Sequence, residues 1–131
     1  MRIEEILEQW NEDCNIDITQ LDTESLKIPK LHHKYYQMFI NERLRLKNLE
    51  AEMKTLKFDK HDFYCDGPNE ETEQRGWVHP RKTILKTDAS RYVEADSDII
   101  QLSLKIGVQQ EKVDLLESII KSLNNRGYNI K

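Results

Sequence analysis

Residues 31–64, LHHKYYQMFINERLRLKNLEAEMKTLKFDKHDFY, decide the fold. No Gly or Pro interrupts the stretch, and strong helix formers fill its second half. Tyr35, Phe39, Leu46, Leu49, Met53, Leu56 and Phe63 recur on alternating three- and four-residue steps, the spacing of a coiled-coil seam. Glu42 and Lys60 take the polar steps of that series. The stretch therefore reads as one helix about 50 Å long at roughly 1.5 Å per residue. A helix of that length gains its stability by packing one face, so it needs a partner.

The partner is a second helix from Asp98 to about Asn125, capped by Asp96 or Ser97 and stopped at Asn125-Arg126-Gly127, with Gly127 in the left-handed position. Leu102, Ile106, Val113, Leu116, Ile120 and Leu123 follow one heptad seam, while Ile100, Leu104, Val108, Leu115 and Ile119 make a second apolar face. A mainly α, single-domain protein follows over residues 1–131, built on an antiparallel helical hairpin. Its parts are an acidic N-terminal helix and linker (1–28), the long helix (29–64), a connection (65–96), the second long helix (97–126) and a tail (127–131). One partner helix cannot cover the second apolar face, which is expected to meet another subunit with help from Tyr128. The alternative is that the N-terminal helix covers it within the monomer.

That N-terminal helix spans residues 2–13, with Ile3, Ile6, Leu7 and Trp10 on one face and acids on the other. Asn15 to Asp22 breaks the pattern, Thr19, Asp22 or Thr23 offering a cap to a short turn before Pro29. Pro29 suits the first turn of the long helix; a kinked but continuous helix from about residue 20 is the other reading. Asp66-Gly67-Pro68-Asn69 is a turn signal, and the polar residues 66–80 read as a mobile loop in which Trp77 is the exception. Thr83, Ile84, Leu85, Thr87, Tyr92 and Val93 flank Thr87-Asp88-Ala89-Ser90, which predicts a small β-hairpin.

Charge is polarised. Residues 1–25 hold eight acids against one base, residues 43–61 six bases against three acids, and residues 75–91 five bases against one acid. No apolar run approaches a membrane span, the start is acidic rather than signal-like, and Cys14 and Cys65 suit a reduced compartment, so a cytoplasmic location is expected. No catalytic motif is present, which points away from an enzyme. His61 and Cys65, four residues apart, make at most half a zinc site, and no metal or cofactor is expected. The basic series is the stronger lead. Arg43, Lys47, Lys54, Lys57 and Lys60 lead into Phe63, Tyr64 and a connection carrying Arg75, Trp77, Arg81 and Lys82. Cations beside aromatic rings suit single-stranded nucleic acid, charges following phosphates and rings stacking bases. A solvated coiled-coil flank is the competing reading, and it would make the chain a structural adaptor that binds only protein partners.

The opening MRIEEILEQWNEDCNID, the segment LRLKNLEAEMKTLKFDKHDFY and the end SLNNRGYNIK resemble the UvsY-like recombination mediators of T4-like bacteriophages. The resemblance extends to Glu50–Lys54, Lys82–Leu85 and Arg126-Gly127 before an aromatic. It implies a homo-oligomeric ring, a hexamer or heptamer, that binds single-stranded DNA. Such a ring displaces single-strand-binding protein and loads a RecA-like recombinase in phage recombination, repair and replication, within the host cytoplasm. The family's basic motif K-A-R-L-D-Y-Y falls on residues 58–64: Lys60 keeps the second basic position, and Phe58 replaces the first. Lys57 next door, or Phe58 itself by stacking, stands in for it. The DNA-binding set implied is Lys54, Lys57, Phe58, Lys60, His61, Tyr64, Arg75, Arg81 and Lys82. The loop at 66–80 departs from the family and is longer. Family members can also continue past the equivalent of Lys131 with a further amphipathic stretch that supports assembly, so a ring here would lean more on the second face of the last helix.

Overall fold

The computed structural model describes residues 1–14 and 21–130, with side chains up to 14 and from 28 to 125. Among the described residues five helices occur: α1 (Ile3–Asp13), α2 (Leu21–Asp66), α3 (Glu70–Gln74), α4 (Lys86–Glu94) and α5 (Ser97–Ile130). No strand is present among the described residues. The chain divides into two compact units, Met1–Leu46 with Gly107–Lys131, and Lys47–Ile106, and α2 and α5 each contribute to both.

The seam of α2 falls where its periodicity puts it. Tyr35, Glu42, Leu46, Lys60 and Phe63 are buried, and Phe39, Leu49, Met53 and Leu56 half-buried. α2 begins at Leu21 and carries Pro29 inside it, so the continuous alternative holds. Of the break expected at Asn15–Asp22, residues 15–20, with any cap by Thr19, lie outside the described residues, whereas Leu21, Asp22 and Thr23 already belong to α2.

In the first unit Ile6, Tyr35, Leu116, Ile119 and Leu123 form the core, with Trp10, Leu31, Met38, Phe39, Leu115 and Ile120 packed on it. Tyr35 thus meets the late turns of α5, while Glu42, further along α2, meets Gln109, earlier on α5, so here the two helices run antiparallel. Glu42 is the first polar step of the seam. The Gln109 amide donates to its carboxylate at 2.6 Å and to its backbone carbonyl at 2.7 Å. A buried polar pair of this kind fixes helix register. α1 is anchored by Ile6 and by Asp13, whose carboxylate accepts from Lys34 at 2.7 Å and from the Tyr35 hydroxyl at 2.8 Å.

In the second unit Phe63, Tyr64, Ile84, Ala89, Val93 and Ile99 are the core. The expected β-hairpin is absent: residues 86–94 form α4, preceded by extended chain at Leu85. The reason is burial. Ala89 and Val93, four apart, enter this core together with half-buried Tyr92, a spacing that a helix satisfies and a hairpin would divide between two strands. An isolated two-stranded hairpin is marginal in water, so β-propensity at Thr83, Ile84 and Thr87 is overridden. Residues 66–80 are likewise more ordered in pattern than the loop expected. α3 is closed by a capping box, the Asn69 side chain accepting from the Thr72 N–H and the Thr72 hydroxyl from the Asn69 N–H. Gly76, at φ +75°, ends it with a pair of bonds from Gly76 and Trp77 back to Glu73 and Thr72. Gly127 does not stop α5, which continues to Ile130.

Candidate nucleic-acid interface

Lys60 is the second polar step of the seam, and the core accounts for it. Its ammonium lies 3.1 Å from Asp96 and 3.0 Å from Asp98, and 3.9 Å from the centre of the Trp77 ring. Only 3 % of Lys60 is exposed. The Tyr64 hydroxyl donates to the same Asp96 oxygen at 2.6 Å. The other Asp96 oxygen accepts from the N–H groups of Asp98 and Ile99, which settles the cap of α5 on Asp96. Burial alone would raise the Asp96 pKa, but the bonds from Tyr64 and Lys60 outweigh it and hold the carboxyl below its ordinary value. Burial, then the bond to Asp96, push the Tyr64 hydroxyl far above the usual phenol value. Lys60 and Tyr64, both expected on DNA, thus tie α2 to the start of α5.

The end of α2 is fixed beside this network. Gly67, at φ +86°, donates to the Phe63 carbonyl at 2.9 Å. His79 Nδ1 accepts from the Arg81 N–H at 2.9 Å, so the ring proton sits on Nε2 and is donated to the Tyr64 carbonyl at 3.1 Å. Trp77 packs edge-on to Phe63 at 5.3 Å. Trp77, the exception among the polar residues 66–80, is therefore half-buried.

The outward side of α2 is different. At roughly 100° per residue, Lys54, Phe58 and His61 share one arc away from the core face. Lys54 is exposed, Phe58 is 68 % exposed and His61 is half-buried. Lys57 borders the arc and pairs with Glu94 at 3.4 Å, both side chains in contact with solvent. An ion pair this exposed contributes little and leaves the lysine available to another anion. Lys82 is exposed, its ammonium 5.3 Å from the centre of the Tyr92 ring. Arg81 is exposed with a positive φ of 59°. Arg75 stands apart: it stacks on Trp77 at 3.9 Å, pairs with Asp59 at 3.5 Å, and lines a groove with Asp62, Asp66 and Glu71. Those carboxylates disfavour a phosphate there.

The residues expected at a subunit contact also divide. Ile100, Leu104 and Val108 are 46 %, 66 % and 51 % exposed. Ile119 is buried and Leu115 half-buried in the cluster that α1 joins, so the N-terminal helix covers that end of the face. The side chain of Tyr128 lies outside the described residues. His61 Nδ1 and Cys65 Sγ are 3.9 Å apart, and among the described residues no group of three His, Cys, Asp or Glu side chains is placed to hold a metal. No described helix is long and apolar enough to cross a membrane.

Fold and site define a protein helical in all its described elements and built on two long helices, one of which turns a cationic, aromatic-bearing face to solvent. The family model for the recombination, repair and ssDNA binding protein UvsY matches residues 9–131. The chain belongs to the UvsY family. Crystal structures of the bacteriophage T4 recombination mediator protein UvsY share the fold. Lattice type II superposes with a TM-score of 0.84 at 19 % identity, covering 99 % of this chain and 90 % of that one. Lattice types I and IV give 0.81 at 18 % identity, covering 96 % and 91 %, and 0.78 at 19 % identity, covering 99 % and 91 %. No curated protein sequence gives a match.

Proposed function

We propose that this chain is a recombination mediator that binds single-stranded DNA and helps load a RecA-like recombinase onto DNA covered by single-strand-binding protein. The observation that carries this reading is the UvsY family match over residues 9–131. The exposed Lys54, Lys57 and Phe58, with half-buried His61 beside them, supply its chemistry: cations for phosphates and a solvent-facing ring for a base. Lys82 and Arg81 are the further exposed cations of the set; Lys60 and Tyr64 support the face from inside. Several copies in one oligomer would raise a weak, salt-sensitive contact to useful strength by multivalency.

The test is anisotropy of a labelled oligo-dT across a salt series, beside a duplex control. Binding should favour the single strand and weaken with salt by a slope of roughly 0.7 per phosphate neutralised. Replacing Lys54 and Lys57 with Ala should lower that slope by about 1.4. No binding at low salt would leave a helical adaptor for protein partners.

A further inference from the structure

The first half of α2 carries a row of rings that neither the core nor the basic series uses fully. His32, Tyr36, Phe39 and Arg43 recur at steps of four, three and four and so share one side of the helix. The rings of His32 and Tyr36 are nearly parallel, 10° apart with centres at 6.1 Å. Tyr36 and Phe39 follow at 6.3 Å and 33°, and the Arg43 guanidinium stands 5.1 Å from the centre of the Phe39 ring. Tyr36 is 45 % exposed and Arg43 exposed; His32 and Phe39 are half-buried, Phe39 resting on the Ile6–Tyr35 core. The one carboxylate in residues 32–43 is Glu42, which is buried against Gln109.

We infer that His32, Tyr36, Phe39 and Arg43 form a second contact for single-stranded nucleic acid, with bases stacking on Tyr36 and its neighbours and Arg43 meeting a phosphate. The inference rests on the proposed DNA-binding function and adds a site to it. Three features select this ligand. The row holds its rings at a spacing set by the helix, with Tyr36 45 % exposed to an arriving base. A guanidinium closes one end, where a planar donor fork matches a phosphate. Within residues 32–43 no exposed carboxylate shares the row, Glu42 being buried. A purely apolar contact with a second copy would leave that guanidinium and the imidazole without partners.

The experiment is photo-crosslinking of the full chain to an iodouridine-substituted oligonucleotide, mapped by mass spectrometry, with anisotropy of Tyr36→Ala and Arg43→Ala. Crosslinks should fall on residues 35–43. Tyr36→Ala should bind roughly tenfold more weakly with an unchanged salt slope, and Arg43→Ala should lower the slope by about 0.7. Crosslinks confined to residues 54–61, with Tyr36→Ala binding normally, overturn this site and leave the function standing. A Tyr36→Ala protein of lower native mass whose subunits bind the oligonucleotide as before assigns the row to contact between copies, and overturns it as well. Failure of the wild-type chain to bind the oligonucleotide overturns both.

Discussion

Lys60 illustrates how one residue type at one position supports opposite readings. As a member of a basic series it points to phosphate; as a polar step in a seam it points inward. The carboxylates of Asp96 and Asp98 decide for the second. Removing one member of a buried ion pair leaves its partner's charge uncompensated, so Lys60→Ala should cost about 3 kcal/mol of stability in urea unfolding. A loss below about 1 kcal/mol would show the network to be incidental. The same carboxylate makes stability depend on pH. Asp96 and Asp13 both titrate below their ordinary value of 3.8 in the folded chain, each against the opposing effect of its own burial. Their contribution is complete above the unfolded value and is lost as pH falls through the folded one. Tyr35 and Tyr64 are raised from 10.0, so their contribution is complete below that value and fades above it. The urea midpoint should therefore hold between about pH 5 and 9 and fall on either side; a midpoint as high at pH 3 as at pH 7 would contradict this.

At the scale of elements, the region between the two long helices exists because an aromatic core needs a cover. α4 presents Ala89 and Val93 to Phe63 and Tyr64, and Trp77 closes the other side. Val93→Ala should cost about 2 kcal/mol through lost burial and the cavity left behind. It should also leave the far-UV spectrum helical, with no strand signature emerging. The long helices show the opposite balance. Their seams are continuous enough that both elements are legible from periodicity, and only the ends move: α2 starts earlier than Pro29 invites, and α5 passes Gly127. Propensity is worth at most about 1 kcal/mol for a Gly, which packing of the preceding turns can outweigh.

For the whole molecule, the question is what meets the apolar residues that neither unit buries. Ile100 and Leu104 belong to one unit and Val108 to the other, and all are about half-exposed or more. The action through several copies proposed above would need a contact between subunits, and Ile100 and Leu104, exposed on one unit, are our candidates for it. Leu104→Glu should lower the native mass in sedimentation without changing helical content; an unchanged mass would place the subunit contact elsewhere. That variant should also bind oligo-dT more weakly per subunit, because a dissociated chain loses the gain of multivalency.

Hydrophobic periodicity by itself determined the two long helices, their seams and the amphipathic α1, because a repeat sustained over many turns leaves one way to bury the apolar positions. Its order of segments also carried the family resemblance. Periodicity could not settle the connection, where short runs of Thr, Ile, Tyr and Val fit a strand or a helix equally until an aromatic core selects one. Nor could it separate Lys60 from Lys54: both are lysines in the same basic series, six residues apart, and only the position of Asp96 across the helix pair makes one a core residue and leaves the other in water. Contacts between residues distant in sequence are the information a local pattern lacks, and the candidate interface is what remains of the basic series once those contacts have claimed their members.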